Sequence, residues 1–288
     1  MERKRFLKIY IEITNICNLK CSFCSKTLRE NRNMTLEEFT HIAKEVKEFT
    51  NLIALHVKGE PLLHPQLENI LMICEKNNLK VNITTNATLL KQNLDTILKA
   101  KSIRQINISL HSAEQNGLGK EEYLEKVLTC VDEIHRNTNI IISYRLWNLK
   151  NLENNKLNEE ILYILGEKYN EKNIIERAKQ EEYIKLDEKI FLNQDLEFEW
   201  PDMAKKPFNK FGKCYGLRNQ IAILANGDVV PCCLDANADI LLGNVLKTPL
   251  IEIIESDKSQ AIIKGFEKRE LVEELCKKCG FIKKFSNM

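Results

Sequence analysis

Four times between Leu7 and Arg145 the chain passes from a short apolar run to a longer stretch with helical spacing, and a fifth apolar run closes the series. Leu7, Ile9, Ile11 and Ile13 alternate with Lys8, Tyr10, Glu12 and Thr14, the period of two of a first strand. Thr35 and Glu38 form a capping box, and Phe39, Ile42, Ala43, Val46 and Phe49 follow on one helix face. Strands are then expected at Leu52 to Val57, Val81 to Thr85, Ile106 to Leu110 and Ile140 to Arg145. Helices are expected at Leu67 to Cys74, around Leu94 to Leu98 and from Lys120 to His135, with Cys74 and Cys130 as core thiols. Apolar strands separated by helices indicate an α/β fold with a parallel sheet, open or closed into a barrel.

The first strand runs into Cys17-Asn18-Leu19-Lys20-Cys21-Ser22-Phe23-Cys24, a C-x3-C-x2-C loop. The same spacing would put three thiols on one helix face, but Asn15, Asn18, Lys20 and Ser22 are poor company for a buried face. A zinc site wants a fourth ligand nearby, and no Cys or His follows before His41. Three thiolates on one loop make a soft anionic pocket suited to an iron–sulfur cluster. Three ligands also leave one iron of a [4Fe–4S] cluster open.

On this run, with aromatic Phe23 before the last cysteine, the chain resembles the radical S-adenosylmethionine (SAM) enzymes. The resemblance implies that Cys17, Cys21 and Cys24 bind the cluster and that the methionine end of SAM chelates its open iron. Reduction would break the sulfonium C–S bond, and the resulting 5′-deoxyadenosyl radical would take hydrogen from a substrate. The implied fold is a partial (β/α)6 TIM-like barrel whose site lies at the C-terminal ends of its strands, the usual place in α/β sheets and barrels. Phe23, Gly59, Glu60, Pro61, Asn86, Ser109 and Arg145 are the implied SAM contacts. Lys58-Gly59-Glu60-Pro61 would meet the amino group, although Lys58 stands where the family usually has glycine. Ser109 and Arg145 resemble positions that meet the ribose and the carboxylate, for which a guanidinium fork is suited. Asn148 is expected at the mouth with them. The bland reading of these residues is strand-end hydrogen bonding. His56, His64 and His111 are expected to be structural, and no catalytic residue is assigned.

Residues 148–188 are charged, with a helix at Ile161 to Tyr169, and form either a barrel-edge elaboration or a connector. Ile190 to Leu192 is a candidate sixth strand, and Phe198 to Pro201 an aromatic turn. Beyond Gly212 the pattern changes to a β-hairpin across Asn226-Gly227 and then to helices at Leu250 to Ile254 and Ile262 to Leu275. Cys214, Cys232, Cys276 and Cys279 give C-x17-C-x43-C-x2-C, a four-thiolate set for iron–sulfur or zinc on spacing alone. Beside the first motif, this layout resembles the SPASM/twitch auxiliary domain, which implies a second, fully ligated [4Fe–4S] cluster. Cys232 matches the family position, with Cys233 as the alternative. The expected domains are residues 1–211 and 212–288.

A net charge of +2, from 43 basic and 41 acidic residues, speaks against a general nucleic-acid or membrane binder. No segment resembles a signal peptide or approaches the ~20 apolar residues of a membrane span. Ten cysteines without a secretion signal fit metal ligation in a reducing cytoplasm. The expected activity is hydrogen abstraction from an organic substrate, with oxidation of a small alcohol or amine as one outcome and peptide maturation as the alternative. With the first strand beginning within ten residues of the start, a leader-binding domain ahead of it is not expected, although a separate protein could supply one. An electron carrier or scaffold without catalysis is the reading from another class. A low-potential donor such as flavodoxin or ferredoxin is the expected protein partner.

Overall fold

A computed structural model describes residues 4–25, 27–115, 120–149, 156–197 and 199–285. The expected alternation is present as β1 (Lys8–Ile11), α1 (Leu36–Val46), β2 (Leu52–Ala54), α2 (Leu67–Lys76) and β3 (Lys80–Thr85). It continues through α3 (Leu94–Lys99), β4 (Ile103–Ser109), α4 (Lys120–Asn137) and β5 (Ile141–Leu149). Next come α5 (Lys156–Tyr169), α6 (Ile174–Ala178), β6 (Tyr183–Asp187) and β7 (Ile190–Leu196). The last elements are β8 (Gln220–Ile223), β9 (Asp228–Val230), β10 (Gly243–Asn244), α7 (Leu250–Glu255), α8 (Asp257–Glu267) and α9 (Glu274–Lys277). Two compact units form: Met1–Ile16, Ser25–Val81 and Phe198–Met288 make the first, Cys17–Cys24 and Asn82–Glu197 the second. Residue 212, the expected domain boundary, lies within the first unit.

In the first unit β1 pairs in parallel with both β2 and β8, with Ile9 opposite Ile53 and Ile221. β8 then turns into antiparallel β9. Gly227 makes that turn at φ +86°, where a Cβ would lie 2.7 Å from Leu246. Flanked on both sides, β1 buries both faces: Ile9, Ile11 and Ile13 on one, Tyr10 and Glu12 on the other. The capping box of α1 is formed, Glu38 N–H donating to Thr35 Oγ1 (3.2 Å) and Thr35 N–H to Glu38 Oε2 (2.8 Å). Its apolar stripe of Phe39, Ile42, Ala43 and Val46 is fully buried, worth roughly 1.5–3 kcal/mol for each large side chain.

The single helix expected from Ile262 to Leu275 is instead two, α8 and α9. Arg269 takes a left-handed φ of 62°, and Glu270 N–H closes on the Gly265 carbonyl at 2.8 Å, a Schellman-type stop. Gly265 permits it, since a Cβ there would lie 2.4 Å from Val272.

In the second unit β4, β5 and β7 pair in parallel, and β6 adds to β7 antiparallel. The sixth strand thus extends past Leu192 to Leu196. The charged stretch expected to hold one helix also supplies α6 and β6. In β6 only Ile184 is deeply buried, so the strand carries little apolar signal.

Glu12, with no exposure, is the most constrained polar group of the first unit. Its Oε1 accepts from Arg29 Nη2 (2.7 Å) and from Lys58 N–H (3.1 Å), and its Oε2 from Ala225 N–H (3.0 Å). Removing one partner from a buried ion pair leaves the other uncompensated. Glu12→Gln should therefore lower unfolding free energy by about 3 kcal/mol, read from urea titrations at neutral pH.

Candidate metal centres

The first cysteine set sits on the loop that opens the second unit. Cys24 N–H donates to the Cys21 carbonyl at 3.2 Å, closing a tight turn, while Cys17 and Cys24 are exposed and Cys21 half-buried. The Cys21 thiol is pushed up to about 11, first by burial and then by the charges of Cys24 and Cys17. A thiol raised by burial and by two neighbouring thiols needs a cation to hold it ionised, so the donor set fits a metal cluster.

Asn86, just past β3, organises this loop. Its amide donates to Asn18 Oδ1 (2.9 Å) and lies 3.9 Å from Cys17 Sγ; its Oδ1 accepts from Thr88 N–H (3.0 Å). The Asn86 carbonyl accepts from the buried Tyr123 hydroxyl at 2.8 Å. The Phe23 ring packs 4.6 Å from the ring of His111, whose Nδ1 lies 3.1 Å from the Arg145 carbonyl. Ser109 and Arg145 are register partners across β4 and β5. Phe23, Asn86, Ser109 and Arg145 therefore all belong to the unit that carries Cys17, Cys21 and Cys24.

Arg145 stacks on Trp147, guanidinium to ring centroid 4.3 Å, and Trp147 Nε1 donates to Asn193 Oδ1 at 2.7 Å. Neither Trp147 nor Asn193 was expected from the sequence. The signal was period two on β5, which puts Trp147 on the face of Arg145. Asn148, expected at the mouth, lies where the pairing of β5 with β7 shifts register and exchanges amide hydrogen bonds with buried Asn158 of α5 at 2.9 and 3.2 Å. β5 also runs beyond the expected end, so Asn148 is inside the strand.

In the first unit, Gly59 adopts φ +77°, and a Cβ there would lie 2.3 Å from the Thr14 carbonyl oxygen. Only glycine lets this segment press onto the backbone just ahead of Cys17. Glu60 N–H donates to the Ile16 carbonyl (2.9 Å), and its buried carboxylate accepts from Leu62 N–H (3.0 Å), capping a short 3₁₀ turn that starts at Pro61. Lys58 is buried, with its ammonium 4.0 Å from the Trp200 ring centroid. The structural expectation for His64 agrees with its hydrogen bond to the Met34 carbonyl at 2.9 Å.

The second cysteine set is also in the first unit. Burial raises the Cys214, Cys232, Cys276 and Cys279 thiols. Cys232 is raised further by the charges of Cys233, Cys214 and Cys276, and Cys276 by those of Cys214 and Cys279. Cys279 reaches about 11. Cys233 packs against an apolar cluster around Tyr10, Ala54 and Val230, and the Tyr10 hydroxyl donates to it. Among the described residues no three His, Cys, Asp or Glu side chains converge on a single-ion point. A cluster binds each thiolate through a different iron and does not require that convergence.

Parallel strands alternating with helices, three clustered thiols on the first loop and four more near the C-terminus define an iron–sulfur protein of the α/β class. The radical SAM superfamily profile matches residues 11–180, more than half of the chain, and an iron–sulfur cluster-binding (SPASM) domain matches residues 214–280. The chain belongs to the radical SAM superfamily of enzymes, and with that membership come a SAM-binding [4Fe–4S] cluster, SAM and auxiliary iron–sulfur ligation. It is similar to the GTP 3′,8-cyclase of Chlorobaculum tepidum, 25% identical over 52% of this chain and 47% of that one. It is also similar to a tungsten-containing aldehyde ferredoxin oxidoreductase cofactor-modifying protein of Pyrococcus furiosus, 33% identical over 28% of this chain and 24% of that one. The matches thus span less than half the length of these relatives. In fold it is similar to BtrN in complex with AdoMet and 2-DOIA (TM-score 0.60, 18% identity, 97% of this chain and 94% of that one). Streptococcus suis SuiB bound to S-adenosylmethionine gives a TM-score of 0.61 at 20% identity, over 96% of this chain and 72% of that one. No helix among the described residues is long and apolar enough to cross a membrane.

Burial pushes the His111 imidazole down to about 4, and the neighbouring Arg145 charge adds to the effect against a hydrogen bond that opposes it. The unfolded chain, with this group near 6.5, therefore binds the extra proton between about pH 6.5 and pH 4. Stability attributable to His111 is complete above that window and is lost as pH falls through it. Urea titrations should show about 2 kcal/mol more loss from pH 7 to pH 5 in the parent protein than in His111→Gln.

Proposed function

We propose that the chain cleaves SAM reductively and removes hydrogen from an organic substrate, with Cys17, Cys21 and Cys24 as the ligands of the SAM-binding cluster. The observation that carries the reading is the contrast between two thiol sets: three on one loop, which leave an iron free, and four near the C-terminus, which do not. When bound, the reduced cluster and SAM supply a 5′-deoxyadenosyl radical able to abstract hydrogen. In this reading the Arg145 fork meets the SAM carboxylate and Ser109 its ribose, while Gly59, Glu60 and Pro61 present acceptors to its ammonium group. Phe23 packs the cluster loop against His111, and Asn86 fixes that loop through Asn18.

Residues 212–288 form the auxiliary segment, with Cys214, Cys232, Cys276 and Cys279 as ligands of the second [4Fe–4S] cluster. Cys232 is preferred over Cys233 because the charges of Cys214 and Cys276 both act on it, whereas Cys233, which also feels Cys214, is held by Tyr10 and packs on the apolar cluster. A closed second cluster in the same chain favours a final substrate oxidation, in which the substrate gives up a second electron. Oxidation of a small alcohol or amine is the first reading. A peptide substrate is the second, favoured by the likeness to SuiB, whose solved forms include one bound to precursor peptide SuiA. A low-potential donor, flavodoxin or ferredoxin, supplies the electrons, and a reducing cytoplasm is the proposed setting.

Anaerobic reconstitution tests the assignment. The dithionite-reduced protein should release 5′-deoxyadenosine from SAM. Cys21→Ala should abolish that release and remove one cluster's iron and sulfide. Cys279→Ala and Cys232→Ser should each lower iron by the other cluster, and Cys233→Ser should leave it unchanged. Release of 5′-deoxyadenosine undiminished in Cys21→Ala would refute the proposal.

A further inference from the structure

The near-neutral chain hides a local concentration of positive charge. Residues 199–213 and 268–284 hold ten basic side chains against five carboxylates, although the whole chain carries only +2. The two stretches lie together in the first unit. Phe208 and Asn209 N–H donate to the Lys277 carbonyl at 3.1 Å, and Gly212 N–H to the Arg269 carbonyl at 2.8 Å. Some of the charge is consumed internally: Lys205 pairs with Glu199 (2.8 Å), Lys277 with Glu274 (2.6 Å), and Lys278 donates to the Met203 carbonyl (2.7 Å). Lys206, Lys210, Lys268, Arg269 and Lys283 point outward and are exposed. Among them stand Phe211, 72% exposed, Met203 and Phe208, with the Lys283 ammonium 5.1 Å from the Phe208 ring centroid.

An apolar centre framed by cations is the composition of a transient protein interface, not of an inert surface. Its place in the chain narrows the partner. Lys213 adjoins Cys214, and Lys277 and Lys278 separate Cys276 from Cys279, so the face is built on the strands of chain that carry three of the four auxiliary thiols. We propose that this face docks a small acidic one-electron carrier protein, which exchanges an electron with the auxiliary cluster. The inference rests on the reading of those cysteines as cluster ligands. Glu270, Glu273 and Glu274, interleaved with the cations, disfavour a uniform polyanion such as RNA or an anionic bilayer and suit a partner of mixed charge. One electron leaves the carrier's reduced group and enters the cluster; no bond forms or breaks, and the lysines transfer no proton. Their work is steering and orientation, effects that salt screens.

Holoprotein and a reduced acidic flavodoxin provide the test. Lys206→Glu/Lys210→Glu should weaken flavodoxin binding about tenfold at low salt and flatten its salt dependence. It should slow cluster reduction by flavodoxin by a similar factor, leaving iron content and reduction by dithionite unchanged. The same charge change made elsewhere, Lys44→Glu/Lys76→Glu on α1 and α2, should leave binding within about twofold. Equal losses in both variants, or none in either, overturn the proposal. So does a variant that loses affinity for single-stranded RNA or anionic vesicles while binding flavodoxin as before. Iron unchanged in Cys279→Ala marks failure of the cluster reading instead, since flavodoxin binding is scored separately.

Discussion

A single buried carboxylate sets the geometry of the first unit. Glu12 directly follows β1 with no exposure, and its two oxygens are met by Arg29, by the backbone ahead of Gly59 and by the turn between β8 and β9. A charge in such a place is tolerable only when every acceptor site is used. Each partner lies on a different stretch of chain, so satisfying the carboxylate requires β1, β2 and β8 to be in register at once. Arg29 extends the tie, its Nε donating to the Ala236 carbonyl at 2.7 Å beyond the Cys232-Cys233 doublet. The segment expected to meet SAM and the segment expected to hold the auxiliary cluster therefore hang from one ion pair. Gly59 completes the arrangement, because its missing side chain is what lets the first of these segments lie on Thr14 and Asn15.

The second unit uses neutral hydrogen bonds for the same end. Asn86 spends its amide on Asn18, its side-chain oxygen on Thr88 and its carbonyl on Tyr123, so the cysteine loop rests on a fully committed residue. His111 is kept neutral by burial and presents its ring to Phe23 and its Nδ1 to the β5 backbone. Such groups hold their neighbours without adding a charge that would compete for the thiolates. The structural reading of His111 made from sequence fits this environment, although its nearness to Phe23 was not legible.

What the sequence disclosed follows the range of the forces involved. Local signals were reliable: the capping box of α1, the Asn226-Gly227 turn and the apolar faces of the early helices each depend on residues a few positions apart. Cysteine spacing was legible because metal chemistry restricts it more tightly than packing restricts any apolar residue. Non-local pairing was not legible. Nothing within Gln220–Ile223 announces that β8 lies in parallel beside β1, since three apolar residues suit any buried strand. β6 was missed for the opposite reason, its exposed edge position leaving charged residues where a buried strand would be apolar. The break between α8 and α9 depends on a left-handed arginine, a conformation that its side chain does not advertise. Within the site, Trp147 and Asn193 escaped notice because they gain meaning only from Arg145, two positions away on one strand and across a strand pair from the other.

The Cys232-Cys233 doublet lies in a bend and turn just past β9. The charges of Cys214 and Cys276 act on Cys232, while Cys233, which that of Cys214 also reaches, packs on the apolar cluster around Tyr10. Cys232 is raised chiefly by burial and then by neighbouring thiols. The shift of Cys233 also begins with burial, but the Tyr10 hydroxyl and the Lys8 charge act against it. A thiol held by tyrosine and packed on Ala54 and Val230 contributes as a small hydrophobe and would lose that packing by turning to a metal. In the proposed ligand set Tyr10, on the strand that leads to Glu12, holds Cys233 and leaves Cys232 as the preferred sulfur.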